Sequence, residues 1–300
     1  MPAPWILSRR CLIQGAVYAA AATACGCRPL HAPRSSGRVV PLPLSAVRLT
    51  PSLYLDAVEA NREYLHRLEP DRLLHNYRQQ AGLPPKAAPY GGWEQETIAG
   101  HSLGHYLSAC TLMHAQTGDA ECHSRAHYIV GELDACQRAH GDGYLAGFTR
   151  RTETGAVEPG RRVFEEVALG DIRAARFYLN GCWAPFYNWH KLMAGLRDAE
   201  LHCGSAGALE IAAGIAGFIE RALAPLDGVQ MQAVLATEFG GMSEVLAELH
   251  VRTGERRWLA LAERFHHHAV LDPLMGGTRR TRAPARQYAD TESHRARLPA

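Results

Sequence analysis

The feature that most constrains the fold is a unit of two helices and a glycine turn that occurs three times. Apolar residues spaced three to four apart predict buried helical faces in the stretches that end at Gly118, Gly204 and Gly254. A second periodic stretch follows each glycine, so each unit predicts two helices joined by a glycine C-cap. The alternation of apolar and polar residues that is typical of β-strands is scarce in this sequence. The sequence therefore predicts an all-α fold made of helical hairpins.

Hairpin arrays of this kind either close into an α/α toroid or extend as an open solenoid. The loops between these hairpins are long and rich in glycine and aromatic residues, which favours a toroid whose loops line a cup at one end. The 300 residues, 47% of them hydrophobic, are ample for one core. We expect a signal peptide over 1–30, a linker over 31–44, a partial toroid over 45–275 and a tail over 276–300.

The N-terminus predicts export. Arg9 and Arg10 precede an apolar stretch that runs into small residues, the layout of a twin-arginine signal peptide, and Cys25 follows a possible lipoprotein cleavage sequence. An ordinary apolar helix is the alternative, but the stretch is short for a membrane span. We expect a periplasmic or extracellular protein, with a lipid anchor as an option and no integral span beyond the signal.

Composition argues against nucleic acid as a partner. The formal net charge is only +2, with Lys+Arg 32 against Asp+Glu 30. No basic stripe with interleaved aromatic residues is present in the sequence. Five cysteines beyond the predicted linker show no CxxC spacing, so we predict buried core thiols and no local zinc knuckle or redox pair: Cys110, Cys122, Cys136, Cys182 and Cys203.

The first candidate site residues are His101 and His105, which lie four apart on one helical face in AGHSLGHY. This spacing is compatible with zinc, but Ser102 stands where an HExxH motif would have glutamate, and no third ligand is evident. Trp93 and Glu96 precede the pair. We therefore predict a hydrogen-bonding pair that lines a polar and aromatic cup.

Three further stretches supply candidates, each with a structural alternative. Tyr144 lies in GDGYLAGF, which a plain glycine turn would also explain. His190 lies in CWAPFYNWHK, which is either a sugar-stacking surface or an aromatic core segment. Glu238 precedes a Gly-Gly pair, and Glu244 follows in the first turn of a helix, where the helix dipole favours a carboxylate. The run 266–268, three histidines, is expected to be a plain helix surface.

Several segments together resemble the β-L-arabinofuranosidase family of glycoside hydrolases, the DUF1680 group of families 127 and 146. They include PYGGWE, IAGHSLGHYLSA, GDGYLAGF, FYNWHKLMAGL, TEFGGMSEVLAEL and AERFHHHAVLDPL, and the similarity runs from about residue 44 to residue 275. The resemblance implies an (α/α)6 toroid followed by β-sandwich domains. It also implies release of terminal β-L-arabinofuranose from plant glycans, with a zinc-bound cysteine as nucleophile and a glutamate as acid/base.

The last residues depart from this resemblance. Where the family continues with a segment like HANTQIPKVIG, this chain has ARQYADTESHR, residues 285–295. Synonymous codons for these residues, read one nucleotide later, encode HANTQIPKVIG, so we expect a frameshifted and disordered tail and an incomplete toroid. The family's zinc ligands, nucleophile and acid/base would lie beyond this point. The expected chain thus has no catalytic or metal-binding residue and no cofactor of its own.

The sequence leaves three functions open. The resemblance favours an inactive glycosidase fragment that recognises an arabinose-containing plant glycan, with five substrate-contact residues: His190, His101, His105, Tyr144 and Glu238. A helical-array protein that binds carbohydrate or acts as a scaffold without catalysis is the first alternative. The second is a lyase or epimerase of another α/α-toroid class that uses histidine and tyrosine as acid and base.

Overall fold

The structure is a computed structural model that describes residues 42–275. The predicted signal peptide, nearly all of the linker and the predicted tail lie outside the described residues. No helix between residues 42 and 275 is long and apolar enough to cross a membrane.

Eleven α-helices account for most of the described residues. We number them α1 to α11 in chain order: Leu53–Arg67, Pro70–Gln80, His101–Thr117, Ala120–His140, Arg161–Ala168, Pro185–Cys203, Gly207–Leu223, Gly228–Leu235, Met242–Thr253, Arg256–Arg264 and His268–Met275. Two 3-10 turns, Leu44–Ala46 and Gly92–Gln95, precede α1 and α3. The predicted all-α class is confirmed.

The three predicted hairpins are α3–α4, α6–α7 and α9–α10. The glycines between them, Gly118, Gly204 and Gly254, have φ values of 79°, 67° and 75°. A residue with a Cβ is strained in this left-handed region, which is why glycine ends these helices. In each case the next helix begins within three residues. Such short connections turn the chain back on itself and make the two helices antiparallel neighbours.

The first helices of the hairpins, α3, α6 and α9, pack side by side and run parallel. Ser108 on α3 donates to Asp198 on α6 at 2.6 Å, and Arg197 on α6 pairs with Glu248 on α9 at 3.5 Å. Contacts advance along all three helices in the same direction, so their N-terminal ends meet at one end of the fold. Three parallel helices, α3, α6 and α9, each followed by an antiparallel partner, give the domain its toroid-like architecture.

Two glycines allow α3 and α6 to approach closely. A Cβ placed on Gly104 would lie 2.3 Å from the backbone carbon and oxygen of Lys191, and one on Gly195 would lie 2.7 Å from the Gly104 oxygen. Real Cβ atoms do not approach backbone atoms this closely, so the two helices could not keep their separation with alanine here. The close crossing carries His105 and Tyr187 toward one another at the N-terminal end.

Short strands occur in the long connection between α4 and α6. Thr149–Arg151 (β1) pairs antiparallel with Val157–Pro159 (β2), and Arg150 lies opposite Glu158. A second antiparallel sheet follows, in the order β3-β4-β5: Ala174–Ala175, Tyr178–Leu179 and Cys182–Trp183. These strands are two or three residues long, so periodicity could not reveal them.

The core next to the N-terminal end of α6 is aromatic. Trp189 on α6 has no exposed surface, and its ring packs against Phe148, Phe164 and Phe186 with centroids 4.5–6.1 Å apart. Its indole N–H donates to the Leu145 oxygen at 2.8 Å, which satisfies the one polar atom of the buried ring. This packing fixes the first turns of α6, from which the candidate site residues project.

Candidate functional site

A cavity of about 520 Å³ lies at the N-terminal end of α3, between α1, the loop before α3 and the first turn of α6. Its lining combines aromatic rings with a few polar groups, the composition expected for a small-molecule pocket. The side chains that define it include Tyr64, Tyr90, Trp93, Glu94, His101, Ser102, His105, Tyr106 and Tyr187. We call it the α3 cavity.

The loop that forms one wall of the α3 cavity is held by hydrogen bonds to α2 and α6. Tyr77 on α2 donates to the Gly100 oxygen at 3.0 Å, and Asn188 on α6 donates to the Ile98 and Ala99 oxygens at 2.9 and 2.8 Å. Gly100, at φ 103°, lies close to Gly147, because a Cβ added at Gly147 would be 3.0 Å from the Gly100 Cα. The wall is therefore preorganised by buried contacts.

Glu94 is a buried carboxylate in this wall, with 4% of its surface exposed. Its Oε2 accepts from the Gly100 backbone N–H at 2.9 Å and from Asn76 Nδ2 at 3.4 Å. Its Oε1 is buried and has no hydrogen-bond partner in the part of the chain that the structure describes. Buried acceptors without partners are costly. Glu94 lines the cavity, so a ligand hydroxyl that reached Oε1 would supply the missing donor.

Glu94 is not among the residues predicted from the sequence. The acidic residue named there beside Trp93 is Glu96, which is exposed and does not line the α3 cavity. A signal was available, because Glu94 directly follows Trp93 in PYGGWE. The 3-10 turn Gly92–Gln95 explains the difference. It turns Trp93 outward, with 63% of its surface exposed, and turns Glu94 inward. Tyr187 was also not singled out, although it lies within the quoted aromatic motif.

His101 and His105 both line the α3 cavity, as the HxxxH spacing predicts. His101 Nδ1 lies 3.0 Å from the Ile98 carbonyl oxygen, which can only accept, so Nδ1 carries a hydrogen and Nε2 is the ring nitrogen left for a ligand. His105 Nε2 lies 3.0 Å from the Tyr187 hydroxyl. The rings of Trp93 and Tyr187 stand 5.6 and 5.7 Å from that of His101.

The imidazole of His105 is favoured in its neutral form. Burial, then the nearby charge of Lys191, then His101 lower its pKa. A neutral imidazole carries one donor and one acceptor nitrogen, which suits the hydroxyl groups of a sugar.

His190 lies at the same end of the fold but outside the lining of the α3 cavity. It follows Tyr187 by one turn of α6 and faces α9, where its Nε2 is 4.0 Å from Glu244 Oε2. A Cβ on Gly241 would lie 2.5 Å from the same nitrogen, so that glycine makes room for the ring. Burial, then Lys191, lower the pKa of His190, while Glu244 opposes them. Its role as a substrate contact stays a prediction.

Glu238, which the sequence predicts to be a substrate contact, caps the N-terminus of α6. Its Oε1 accepts from the Phe186 N–H at 2.7 Å and its Oε2 from the Tyr187 N–H at 3.1 Å. These N–H groups have no partner within the helix, and the helix dipole favours a carboxylate there. Glu238 does not line the α3 cavity, so the structure gives it a positioning role for Tyr187.

Glu238 makes stability depend on pH. Burial raises its pKa to about 7, although N–H groups of Phe186, Tyr187 and Gly240 favour the ionised form. The folded protein therefore keeps a proton that the unfolded chain releases above about pH 4.5. The stability contributed by this group is full below pH 4.5, falls as the pH rises to about 7, and is constant above that.

We expect Glu238→Gln to remove this dependence. The free energy of unfolding of the wild type minus that of the variant should fall as the pH rises from 4.5 to 7. Urea unfolding at a series of pH values measures the difference, with Glu244→Gln as an acidic control at the start of α9. A difference that rises with pH, or that is equally steep for the control, would show that Glu238 is not the group responsible.

Tyr144 does not contribute to the α3 cavity, and its predicted place among the cup residues is wrong. Its ring is 1% exposed and packs edge-on against His140, Trp189 and Phe218 at centroid distances of 4.9–6.2 Å. The apolar residues of GDGYLAGF turn inward together and cover the aromatic core. Sequence periodicity could not distinguish this from a cup loop, because the segment has no regular secondary structure.

A larger cavity, about 650 Å³, lies beside the two small sheets. Three of the five charged residues that line it are already ion-paired: Arg150 with Glu158 and Glu166 at 2.7 and 2.5 Å, and Arg173 with Asp171 and Glu166 at 2.6 and 2.5 Å. Satisfied ion pairs of this kind are expected of a structural network. The α3 cavity, with its aromatic rings and unpartnered Glu94 oxygen, is the better ligand site.

The residues present at the α3 cavity do not fit a zinc-bound cysteine. None of the five cysteines within the described range lines the cavity. Burial raises the pKa of every one of them, which disfavours the thiolate that binds zinc or attacks a sugar: Cys110, Cys122, Cys136, Cys182 and Cys203. Cys122 does lie near His66 and Asp119, but these residues are not part of the α3 cavity.

Comparison with known proteins gives one family. The family described as "Beta-L-arabinofuranosidase, GH127 catalytic domain" matches residues 46–299. The matched range also covers most of the residues predicted to be frameshifted, and that prediction stays untested. A search of curated proteins returns no significant match.

Proposed function

The chain belongs to the GH127 β-L-arabinofuranosidase family of glycoside hydrolases, and we propose that its α3 cavity binds the terminal β-L-arabinofuranose of a plant-derived glycan. The strongest support is Glu94, which lines the cavity and whose buried Oε1 lacks a donor among the described residues. A sugar hydroxyl is a donor of the right size and polarity, and it would remove the cost of leaving this oxygen unpaired.

The other groups of the α3 cavity complement a furanose ring. Trp93 and Tyr187 offer aromatic faces to its C–H groups, and both stand within 6 Å of the His101 ring, measured between centroids. His101 Nε2 accepts a hydroxyl hydrogen, and the His105–Tyr187 pair can both donate and accept. Each polar group is held by a second hydrogen bond, which lowers the entropy cost of binding.

We further propose that the 300-residue chain binds the sugar without cleaving it. Retaining hydrolysis needs a nucleophile and an acid/base, held on either side of the scissile bond. Among the described residues that line the α3 cavity, Glu94 is the single carboxylate, and none is a cysteine. Residues 42–275 therefore supply recognition groups, while His190, as the sequence analysis proposed, would contact the sugar or the next unit of the glycan.

Turnover and binding are tested on the same preparation. We expect calorimetry to detect binding of methyl β-L-arabinofuranoside, and we expect no release of nitrophenol from p-nitrophenyl β-L-arabinofuranoside, with or without added zinc. Turnover that disappears in Glu94→Gln would contradict the proposal, because the chemistry would then lie in residues assigned to recognition.

A carbohydrate-binding or scaffold protein without catalysis is the second candidate. The observation that favours it is the state of the thiols, all of which are buried or half-buried with raised pKa values in the described range. The binding assay separates the scaffold form of this candidate from the first proposal, because a scaffold with no sugar site would fail to bind the furanoside. We also propose that the protein acts outside the cytoplasm, supported by the Arg9-Arg10 pattern of the N-terminus.

A further inference from the structure

Two histidines and an aspartate converge where α10 passes into α11. His266 Nε2 lies 2.6 Å from Asp272 Oδ1, and His268 Nδ1 lies 2.9 Å from Asp272 Oδ2. The two imidazole rings stand 4.9 Å apart, and one ligand atom from each residue lies within 4.8 Å of the others. Both histidines thus point at one carboxylate from different sides.

The backbone that carries these side chains is fixed by one residue. The Gln232 side chain on α8 donates from Nε2 to the His266 carbonyl at 2.9 Å and accepts at Oε1 from the His268 N–H at 3.0 Å. His267, between them, packs its ring 5.3 Å from that of Phe239. These contacts hold His266 and His268 at a constant separation, although both side chains reach solvent. Preorganised ligands of this kind bind metal ions more tightly than mobile ones.

An open cavity of about 360 Å³ lies beside the cluster and would leave coordination positions for water. His266 and His268 line it, together with the acidic residues Asp227 and Glu263. Arg264 also lines the cavity, and its guanidinium donates a hydrogen bond to the Leu226 carbonyl oxygen at 2.9 Å. The two carboxylates favour a cation in this space.

We propose that His266, His268 and Asp272 form a binding site for a divalent transition-metal ion, with zinc as the fitting example. Two imidazoles and a carboxylate are the ligand set that suits zinc and its neighbours, with water in the remaining position. The ion would replace the two hydrogen bonds to Asp272 and join the start of α11 to the loop after α10. This site is separate from the α3 cavity and does not depend on the proposed sugar binding.

Zinc titration of the full 300-residue chain tests the site. After removal of metal with chelator, calorimetry above the usual pKa of histidine should show one zinc ion per chain. His268→Ala and Asp272→Asn should each weaken binding by about tenfold or more, the scale seen when metal-site contacts are lost. Zinc should raise the melting temperature of the wild type and not that of these two variants.

Two control variants separate this site from other histidines. His127→Ala removes an exposed histidine of α4, and His66→Ala removes a member of the His66–Asp119–Cys122 group; both should bind zinc as the wild type does. Circular dichroism of each variant should match the wild type, because the substituted side chains are exposed or half-exposed. The proposal is overturned if the wild type binds no zinc, if His268→Ala and Asp272→Asn leave affinity unchanged, or if affinity is lost with His66→Ala instead.

Discussion

Gly104→Ala should lower the free energy of unfolding by at least about 3 kcal/mol, at the upper end of what an added methyl group costs in a packed interior. The new Cβ would lie 2.3 Å from the backbone carbon and oxygen of Lys191, and a neighbouring backbone cannot rotate away as a flexible side chain can. The helices α3 and α6 would have to separate or slide. Urea unfolding measures the loss.

Gly131→Ala is the matched control for this change. Gly131 also lies within a helix, α4, but a Cβ there has no atom within 4 Å. Alanine is a better helix former than glycine by roughly 0.5–1 kcal/mol, so the control should be neutral or stabilising. Because both variants gain the same helix propensity, the difference between them reports the packing of α3 on α6. Equal stabilities would mean that the close crossing does not exist.

Glu94→Gln should weaken binding of methyl β-L-arabinofuranoside by about 10- to 100-fold, which corresponds to one hydrogen bond lost from a buried carboxylate. The amide has nearly the same shape, but its NH₂ group faces either the cavity, where an acceptor is needed, or the Gly100 N–H, which is itself a donor. One hydrogen bond is lost in both orientations. Calorimetry gives the affinity, and circular dichroism verifies the fold.

Glu96→Gln makes the same chemical change two residues away on an exposed side chain and should leave the affinity unchanged. Trp93→Ala, which removes an aromatic wall of the cavity, should also weaken binding. If Glu94→Gln and Glu96→Gln bind the furanoside with equal affinity, Glu94 is not a ligand contact, and the observation that supports the site is lost.

The hairpins could be predicted from the sequence because helix faces and glycine C-caps act locally. Gly118, Gly204 and Gly254 end helices as their positions indicate, and each has positive φ. His101 and His105 share a cavity because residues four apart lie on one helical face. In these cases the residues that determine the structure lie within about one helical turn of one another, so the sequence alone is enough to predict it.

The remaining site residues depend on contacts between distant segments. Glu238 caps a helix that begins 53 residues earlier, at Pro185, and no spacing rule connects them. Tyr144 turns into the core because Trp189 and Phe218, from two later helices, surround it. Glu94 and Glu96 are distinguished by a 3-10 turn that aromatic and glycine content alone does not indicate. Tertiary packing decided the outcomes for Glu238 and Tyr144, and a local turn decided the one for Glu94.

An experimental structure of the 300-residue chain with methyl β-L-arabinofuranoside tests the central claim most directly. We predict that the furanose ring lies in the α3 cavity between Trp93 and Tyr187, with a hydroxyl donating to Glu94 Oε1 and another within hydrogen-bond distance of His101 Nε2. A sugar bound instead in the arginine-rich cavity beside the small sheets, or an α3 cavity left without ligand at saturating furanoside, would contradict it.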